Sequence, residues 1–365
     1  MRPWLPGYLI LATLACGGAG GSSAGTADVS QSVALLGFDV DATTVTLRFD
    51  PSAVGGTWHI EQDGDVIDVP VAKATVAIPG DLPEATFSPL VPGAATWRLT
   101  AKDGSETTGT LTIGERFTHF FAAPEASVVG LPAHVAVGAT VSVSGTTGGG
   151  GSKKEAFIGR PSGAVERVSL GDFPLPPSTA FALDVVASEA GLLVVELSRN
   201  DGIPAAVLPV YVGDAVPLAR SPLDAGFTSS KTLDSQAASQ EILTLVNALR
   251  SDLGLAEVKA HSTLAATATE KADIIAQSKI LSHTSPDGED AATRAGKAGL
   301  TGQVWENLAV EYTPERAYLG WYWSPNHREA LVSDKWRSHG LAVGVMDAVA
   351  GQFVFVQHLS TEEAP

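Results

Sequence analysis

The sequence predicts a multidomain protein: two N-terminal all-β, sandwich-like modules followed by a C-terminal α+β domain. Three observations support this prediction. Short runs of alternating apolar and polar residues fill residues 31–213, a linker containing proline, serine and glycine follows at 214–232, and apolar residues then recur at helical spacing. The chain has 365 residues, enough for two or three domains, and 44% hydrophobic with 17% charged residues is a globular composition.

The N-terminus has the features of an export signal. Arg2 precedes an apolar run from Tyr8 to Ala15, which is too short to span a bilayer, and the only cysteine, Cys16, follows directly. This arrangement resembles a bacterial lipoprotein signal over residues 1–16, with Cys16 lipidated, and residues 17–30 then form a flexible tether. The alternative is a plain secretory signal cleaved further along. Either reading predicts export, and a single cysteine excludes intramolecular disulfides.

The net charge of -17 and the pI of about 4.8 argue against nucleic acid and anionic membrane surfaces as partners, because both require a basic face. Contact with a membrane is therefore predicted through the lipid anchor only. Gly17 stands where an aspartate often retains lipoproteins at the inner membrane, which favours the bacterial outer membrane or cell surface. Secretion without an anchor is the remaining possibility.

The first β module is predicted at residues 31–115. The segments "TVTLRFD" and "ATWRLTAKDG" alternate apolar and polar residues, the second turns at Asp103-Gly104, and "TGTLTI" supplies the returning strand. The second module is predicted at 116–213, with strands in "ATVSVSG", "FALDV", "GLLVVEL" and "AVLPVYVGD". Its glycine-rich segment from Thr146 to Glu155 is interpreted as a flexible hairpin loop. Neither module shows a recognisable cluster of acidic, histidine or serine residues, so both are interpreted as spacer or adhesive modules.

The C-terminal domain is predicted at residues 233–360. Two helices fit "SQEILTLVNALRSDLGL", which ends at Gly254, and "STLAATATEKADIIAQSKI". A third helix begins in "SPNHRE", and a closing hairpin pairs Leu341–Val345 with Phe353–Leu359. The predicted order is helix, helix, loop, helix, strand, strand.

The stretch "SPNHRE" places Ser324 as N-cap, Pro325 at the first helical position and His327 at the third. A helix N-terminus carries partial positive charge, which disfavours an imidazolium. His327 is therefore expected to be neutral near pH 7 and free to bind a metal or accept a proton. The alternative is a partly exposed histidine that merely ends a turn.

Five segments together resemble a known family. "NALRSDLGL", "SHTSPDG", "WENLA", "YWSPNHREALV" and the closing "GLAVGV" with "FVFVQ" occur in the order of the SCP domain of the CAP superfamily, named for cysteine-rich secretory proteins, antigen 5 and pathogenesis-related 1 proteins. The resemblance is to the bacterial branch and covers about Gln240 to Ser360. It implies an α-β-α sandwich whose cleft holds two histidines and two acidic residues.

The resemblance also implies the site residues. The two histidines fall on His283 and His327, and the glutamate of the Glu-Asn motif falls on Glu306. The second acid lies in the segment after His283, where Asp287, Glu289 and Asp290 are the candidates and Glu289 is preferred. The sequence lacks the disulfides and the Gly-His-Phe/Tyr-Thr-Gln signature of the animal and plant members. His358 is interpreted as structural, as are five other histidines: His59, His119, His134, His261 and His339.

This residue set permits metal chemistry. His283 and His327 together suit Zn²⁺ or another divalent cation. Glu306, next to Trp305 and an apolar run, is expected to have a raised pKa and to act as a general base or to hold a histidine tautomer. Metal-assisted hydrolysis would follow, with these three residues as the catalytic set. Two histidines are, however, fewer ligands than a secure zinc site has, and no activated nucleophile is apparent. The alternative is a hydrogen-bonded polar cluster with a purely structural role.

The leading hypothesis is an exported lipoprotein whose cleft binds an extracellular ligand, such as a lipid, a peptide or a cell-wall fragment, and a divalent metal. A secreted hydrolase, with a peptidase as the preferred class, is the first alternative, although the sequence contains no complete catalytic motif. The second alternative is an adhesion module that binds through its surface and uses the cleft as scaffold.

Overall fold

The computed structural model describes most of the chain beyond the N-terminus. The described residues are 35–40, 45–49, 53–62, 65–73, 83–87, 93–114, 120–121, 126–129, 131–147, 153–170, 178–199, 204–217, 232–348 and 351–365. The predicted signal, Cys16, the tether and His119 lie outside them. Within the described residues, no helix is long and apolar enough to cross a membrane.

The first module consists of two sheets around one core. Its strands are β1 (Leu35–Val40), β2 (Val45–Phe49), β3 (Thr57–Gln62), β4 (Asp65–Pro70), β5 (Ala72–Lys73), β6 (Pro83–Phe87), β7 (Gly93–Thr100) and β8 (Glu106–Gly114). One sheet has the order β1-β2-β6-β5 and the other contains β8-β7-β3-β4. Leu47 from the first sheet and Trp58 and Ile60 from the second are buried in the same cluster. Alternation of apolar and polar residues therefore produces the inward faces, as predicted.

The predicted hairpin between β7 and β8 is confirmed. The strands pair antiparallel, and the turn closes where the sequence predicted it, with the Ala101 amide donating to the Ser105 carbonyl at 2.8 Å. Gly104 has φ +84, a conformation that favours glycine. The structure also places a strand, β18 (Ala215–Pro217), parallel to β8 in the same sheet. The segment predicted as a linker at 214–232 thus begins by returning to the first module.

The second module likewise consists of two sheets. Its strands are β9 (Phe120–Phe121), β10 (Ala126–Val129), β11 (His134–Val135), β12 (Thr140–Thr147), β13 (Lys153–Gly159), β14 (Val165–Ser169), β15 (Ala180–Val186), β16 (Gly191–Arg199) and β17 (Pro204–Val212). The orders are β10-β12-β15 and β11-β17-β16-β13-β14. The prediction of a hairpin loop at Thr146–Glu155 is wrong, because β12 and β13 lie in different sheets.

The C-terminal domain has three layers. Its elements are α1 (Ser235–Asp252), β19 (Lys259–Ala260), α2 (Ser262–Ser278), α3 (Ala291–Lys297), β20 (Val304–Glu311), α4 (Pro314–Trp323), α5 (Pro325–Val332), β21 (Ser338–Asp347) and β22 (Gln352–Ser360). The sheet order is β19-β21-β22-β20. Helix α2 packs on one face and α1, α4 and α5 pack on the other, around separate buried clusters. This is the α-β-α arrangement that the resemblance implied.

Helices α1, α2 and α5 and the closing hairpin were predicted, and α3, β20 and α4 were not. In the hairpin, Leu341 pairs with Gln357 and Val345 with Phe353. Strand β20 was missed because the polar pair Glu306-Asn307 interrupts its apolar pattern. Both polar residues find partners across the strands, since Glu306 lies opposite His358 and Asn307 lies opposite Gln357.

Strand β16 of the second module is buried on both faces. Leu193, Val195 and Leu197 enter the module's own core. The alternate residue Val194 forms a cluster with Val207 of β17 and Trp323 of α4 instead. The outer face of this sheet is therefore covered by α4 and α5 of the C-terminal domain, and the near-continuous apolar run "GLLVVEL" is explained by burial on both sides.

Candidate functional site

Glu306 lies at the centre of a buried hydrogen-bond cluster. Its side chain is 3% exposed, and its Oε2 accepts a hydrogen bond from His358 Nε2 at 3.1 Å. The other nitrogen of His358, Nδ1, lies 2.9 Å from the hydroxyl of Thr267 on α2. His358, which the sequence analysis assigned a structural role, thus ties β20 to β22 and both strands to α2.

His283 reaches the second oxygen of the same carboxylate. Its Nδ1 donates to Glu306 Oε1 at 2.9 Å, and its side chain is 35% exposed. Because Nδ1 faces the glutamate, Nε2 is on the opposite side of the ring. Glu306 therefore fixes the tautomer of His283, as the sequence analysis proposed for one of its two possible roles.

The loop that carries His283 is anchored by buried cations. The hydroxyl of Ser285 accepts hydrogen bonds from Lys271 Nζ at 3.2 Å and from Arg294 Nη2 at 2.8 Å. Both cations are nearly inaccessible, with residue exposures of 1% and 2%. Burial lowers the pKa of Lys271, although the Glu306 carboxylate opposes this effect. The "SHTSPDG" segment is thereby held against α2 and α3.

The pKa of Glu306 is lowered, so the expectation of a raised pKa is wrong. Burial alone would raise it, but the hydrogen bonds from His283 and His358 more than compensate. Both carboxylate oxygens already accept hydrogen bonds from these two imidazoles. Glu306 is consequently an ionised acceptor that orients histidines, which is unfavourable for a general base.

His327 stands in the first turn of α5, where Ser324 is the N-cap and Pro325 the first helical residue, as predicted. Burial, assisted by the nearby His283, lowers the pKa of His327 to about 4, so the imidazole is neutral at pH 7. The prediction of a neutral His327 is confirmed, although burial rather than the helix N-terminus is the main cause. Its Nδ1 lies 2.6 Å from Ser324 Oγ.

Glu196 from strand β16 is a member of this site that sequence reasoning missed. Its Oε2 accepts from Ser324 Oγ at 2.5 Å and from the backbone amide of Asn326 at 3.3 Å, and its Oε1 accepts from Ser198 Oγ at 2.5 Å. The residue is fully buried, at 0% exposure. The interpretation of the second module as a spacer without site chemistry is therefore incomplete.

Burial raises the pKa of Glu196 to about 7, and the hydrogen bonds from Ser198, Ser324 and the Asn326 amide, with the charge of Arg328, oppose this rise. A glutamate inside the apolar run of β16 was the available signal, because a buried carboxylate requires partners. Ser198 lies on the same strand, but Ser324 and the Asn326 amide are supplied by a different domain, about 130 residues further along the chain. Neither the alternation pattern nor the spacing of residues carries that information.

Glu289, the preferred second acid, forms an ion pair with Lys297 at 3.2 Å. Its backbone carbonyl also accepts from the Ser285 amide at 2.8 Å, which closes the turn after His283. Asp290 caps α3 by accepting from the Thr293 amide, and Asp287 accepts from the Glu289 amide. A role for Glu289 in the cleft stays a prediction.

The donor set does not by itself fit a resident metal. His283 and His327 are each held through Nδ1, which directs Nε2 away from the supporting residue, but they supply two ligands where a secure zinc site has three or four. Within the described residues, no group of three or more His, Cys, Asp or Glu side chains is placed to hold a metal ion. The arrangement can instead offer two oriented imidazoles to the hydrogen-bonding groups of a ligand.

The histidines interpreted as structural have local partners or are buried. His59 and Asp68 are 2.5 Å apart on the first module, and His134 lies 2.5 Å from the Gly213 carbonyl. His339 is buried, and burial together with nearby His358 lowers its pKa to about 4. His261 precedes α2 as its N-cap residue.

Comparison with families of known proteins identifies the C-terminal domain. Residues 243–359 match the CAP family, described as the cysteine-rich secretory protein family. Comparison with curated protein sequences returns no match. The match includes His283, Glu306, His327 and His358, and it leaves Glu196 and both β modules outside.

Three solved structures are similar to parts of this chain. An outer surface protein of Borrelia burgdorferi has 21% identity and a TM-score of 0.33, over 38% of this chain and 100% of its own. An extracellular protein containing an SCP domain from Bacillus anthracis has 15% identity and a TM-score of 0.32, over 86% of this chain and 88% of its own. A cysteine-rich secretory protein of Staphylococcus aureus has 12% identity and a TM-score of 0.31, over 81% of this chain and 83% of its own.

Proposed function

We propose that this chain, with its CAP domain at residues 243–359, is an exported binding protein whose His283–Glu306–His327 cleft takes up a polar extracellular ligand, such as a cell-wall fragment. The lipoprotein-like N-terminus with Cys16 supports export and anchoring at a bacterial surface. The β modules then hold the CAP domain away from the membrane. Lipids and peptides are the other ligand classes that the experiment below distinguishes.

One observation carries this proposal. Glu306 is enclosed and has both oxygens occupied, whereas His283 is 35% exposed and His327 is partly buried, and each histidine is oriented through Nδ1. Supported imidazoles of this kind bind hydroxyl, amide or carboxylate groups well, because their direction is fixed before the ligand arrives. A cell-wall fragment offers many such groups, and a lipid chain offers few.

A hydrolase is the second candidate, and the neutral His327 is the observation that favours it. A neutral imidazole can accept a proton from a bound water or substrate group, but a pKa lowered to about 4 makes His327 a weak base, which is why this candidate ranks second. Glu306 is a poor base, since its pKa is lowered by two hydrogen bonds after the opposing effect of burial. A screen of peptide and ester substrates tests this candidate. Activity that survives Glu306→Gln but is lost in His327→Gln would assign the base to His327.

The binding proposal is tested with the full chain and purified cell-wall fragments, lipid vesicles and peptides as separate probes. The double variant His283→Ala, His327→Ala is expected to lose at least tenfold in affinity for one probe class while keeping its circular dichroism spectrum. His59→Ala, which changes a histidine on the first module, is the matched control and is expected to bind normally. Equal binding by the double variant would contradict the cleft and favour the adhesion alternative.

Zinc is included as a further probe, because the two histidines have the correct donor type but an incomplete number. Tight one-to-one binding of Zn²⁺ that disappears in the double variant would establish a metal site despite this shortfall. Weak binding, or none, is the expected result for two ligands without a third.

A further inference from the structure

We propose that Glu196, a residue of the second β module, is a positioning residue for His327 in the CAP domain. Acting through the hydroxyl of Ser324, it fixes the imidazole proton on Nδ1 and thereby presents an unprotonated Nε2 to the cleft. One end of the cleft is then set by a residue outside the CAP domain. The functional meaning of this inference rests on the proposed binding function, but its test does not.

The direction of the hydrogen bonds follows from proton counting. Ser324 Oγ lies 2.5 Å from Glu196 Oε2 and 2.6 Å from His327 Nδ1. A serine hydroxyl has one proton, and at pH 8, above the raised pKa of about 7, the Glu196 carboxylate is ionised and can only accept. The hydroxyl therefore donates to Glu196, and its oxygen must accept from His327. That acceptance requires a proton on Nδ1, which leaves Nε2 of the neutral ring as an acceptor.

Glu196 is itself held rigidly enough to act in this way. Ser198, two residues along the same face of β16, donates to its Oε1 at 2.5 Å. The amide of Asn326, at the second position of α5, donates to its Oε2 at 3.3 Å. The positive end of α5 stabilises the buried carboxylate, and the Ser324 side chain, although at the N-cap position, makes no capping bond to its own helix.

A purely structural role for Glu196 would be to join the two domains. The interface already has other contacts that do so, including the Arg167–Glu329 ion pair at 2.6 Å and the bond from Arg328 to the Arg160 carbonyl at 3.3 Å. Those contacts do not reach His327. Among the described contacts, the one through Ser324 alone fixes where the His327 proton lies, so the tautomer distinguishes a positioning role from a role in joining the domains.

The test is ¹⁵N NMR of the full chain labelled at histidine, recorded at pH 8, with His327 assigned by the signal lost in His327→Gln. Long-range proton–nitrogen correlations report which ring nitrogen carries the proton. Four variants are compared: Glu196→Leu, Ser324→Ala, Glu196→Gln, and Glu329→Gln as the control that weakens the same interface without touching the path. Tryptophan near-UV circular dichroism checks that each variant is folded.

We expect wild type to carry the proton on Nδ1. In Glu196→Leu the serine hydroxyl has no carboxylate, so it turns to donate to Nδ1 and the ring proton moves to Nε2. Ser324→Ala loses the single tautomer. Glu196→Gln keeps the wild-type tautomer, because its amide oxygen still accepts from Ser324, and Glu329→Gln also keeps it.

If His327 of the wild-type protein carried its proton on Nε2, the inference would be overturned without any variant. A folded Glu196→Leu variant with an unchanged tautomer would overturn it as well. Failure of the binding proposal would look different, since the tautomer pattern would hold while no probe bound the cleft.

Discussion

The two histidines of the candidate site are supported by different parts of the chain. His283 is oriented by Glu306, whose other oxygen is held by His358, so this end is built entirely within the CAP domain. His327 is oriented by Ser324, whose hydroxyl is bound by Glu196 of the second β module. The first support uses a cross-strand pair inside one sheet, and the second crosses a domain boundary.

This difference shows that a domain boundary need not be a functional boundary. The CAP domain carries its own carboxylate for one histidine, and the neighbouring module supplies the carboxylate for the other. Burial raises the pKa of both carboxyls, but the net result differs. At Glu306 the hydrogen bonds outweigh burial and the pKa is lowered, whereas at Glu196 burial dominates and raises the pKa to about 7. The two ends should therefore respond differently to substitution and to pH.

The largest loss of stability is expected at the His283 end of the site, which is built entirely within the CAP domain. Glu306→Ala removes the acceptor for His283 and for the fully buried His358, and should lower the free energy of unfolding by about 3 kcal/mol, as for one partner of a buried pair. Chemical denaturation followed by tryptophan fluorescence measures this loss. The control is Glu289→Ala, which removes a partly exposed ion pair and should cost less than about 1 kcal/mol. Equal losses would contradict a central role for Glu306.

A smaller and more local loss of stability is expected when the support for His327 across the domain boundary is removed. Glu196→Ala leaves the hydroxyls of Ser198 and Ser324 and the amide of Asn326 without their acceptor, which should cost about 2 kcal/mol. Hydrogen exchange measures this cost directly, as faster exchange of α5 amides by roughly 30-fold. The amides of α2 should exchange at the wild-type rate. Uniformly faster exchange in both helices would show general destabilisation instead.

The pH dependence of stability should distinguish wild type from Glu196→Gln, in which a neutral glutamine replaces the carboxyl. A carboxyl with a folded pKa raised to about 7 contributes most stability below its ordinary value of 4.5 and loses that contribution as pH rises through about 7. Wild type should therefore lose stability relative to Glu196→Gln between pH 5 and pH 8, by about 2 kcal/mol, with most of the loss below pH 7. Parallel urea titrations of the two proteins measure it. A constant difference across this range would contradict the raised pKa.

The smallest effect is expected for the outer ion pair of the interface. Arg167 and Glu329 are both substantially exposed, at 45% and 33% of their side chains, so Glu329→Gln should change the free energy of unfolding by less than about 1 kcal/mol. Raising the salt concentration should abolish even this difference. Thermal unfolding of both proteins at low and high salt is the measurement, and a loss comparable with that of Glu196→Ala would reverse the proposed ranking.

The local elements at both ends could be predicted in part from sequence, and the contacts that hold the two histidines could not. The helix start at Ser324-Pro325 and the strands of the closing hairpin follow from local signals, because capping and alternation act over a few residues. Strand β20 was missed because Glu306 and Asn307 look wrong for a buried strand until their cross-strand partners are known. These two polar residues in the middle of the strand override the alternation of apolar residues from which strands are predicted.

The role of Glu196 could not be predicted from sequence, and the cause is different. The doubly buried run "GLLVVEL" indicates that both faces of β16 are covered, but it does not say by what. The covering elements, α4 and α5, come from a domain that folds around its own core, and the contact depends on tertiary packing alone. The raised pKa of Glu306, predicted from its apolar neighbours, failed similarly, since the neighbours that determine it are His283 and His358.

The most direct test of this account is the titration of His327, followed by the NMR signal of its C2 proton in the full chain from pH 8 down to pH 4. The described site requires a neutral imidazole at His327, with a pKa of about 4 that is set by burial and by nearby His283. A signal that stays in its neutral position until the pH approaches that value would support the cleft as described. Titration near the ordinary value of 6.5 would mean that His327 is solvated and charges freely, and would contradict it.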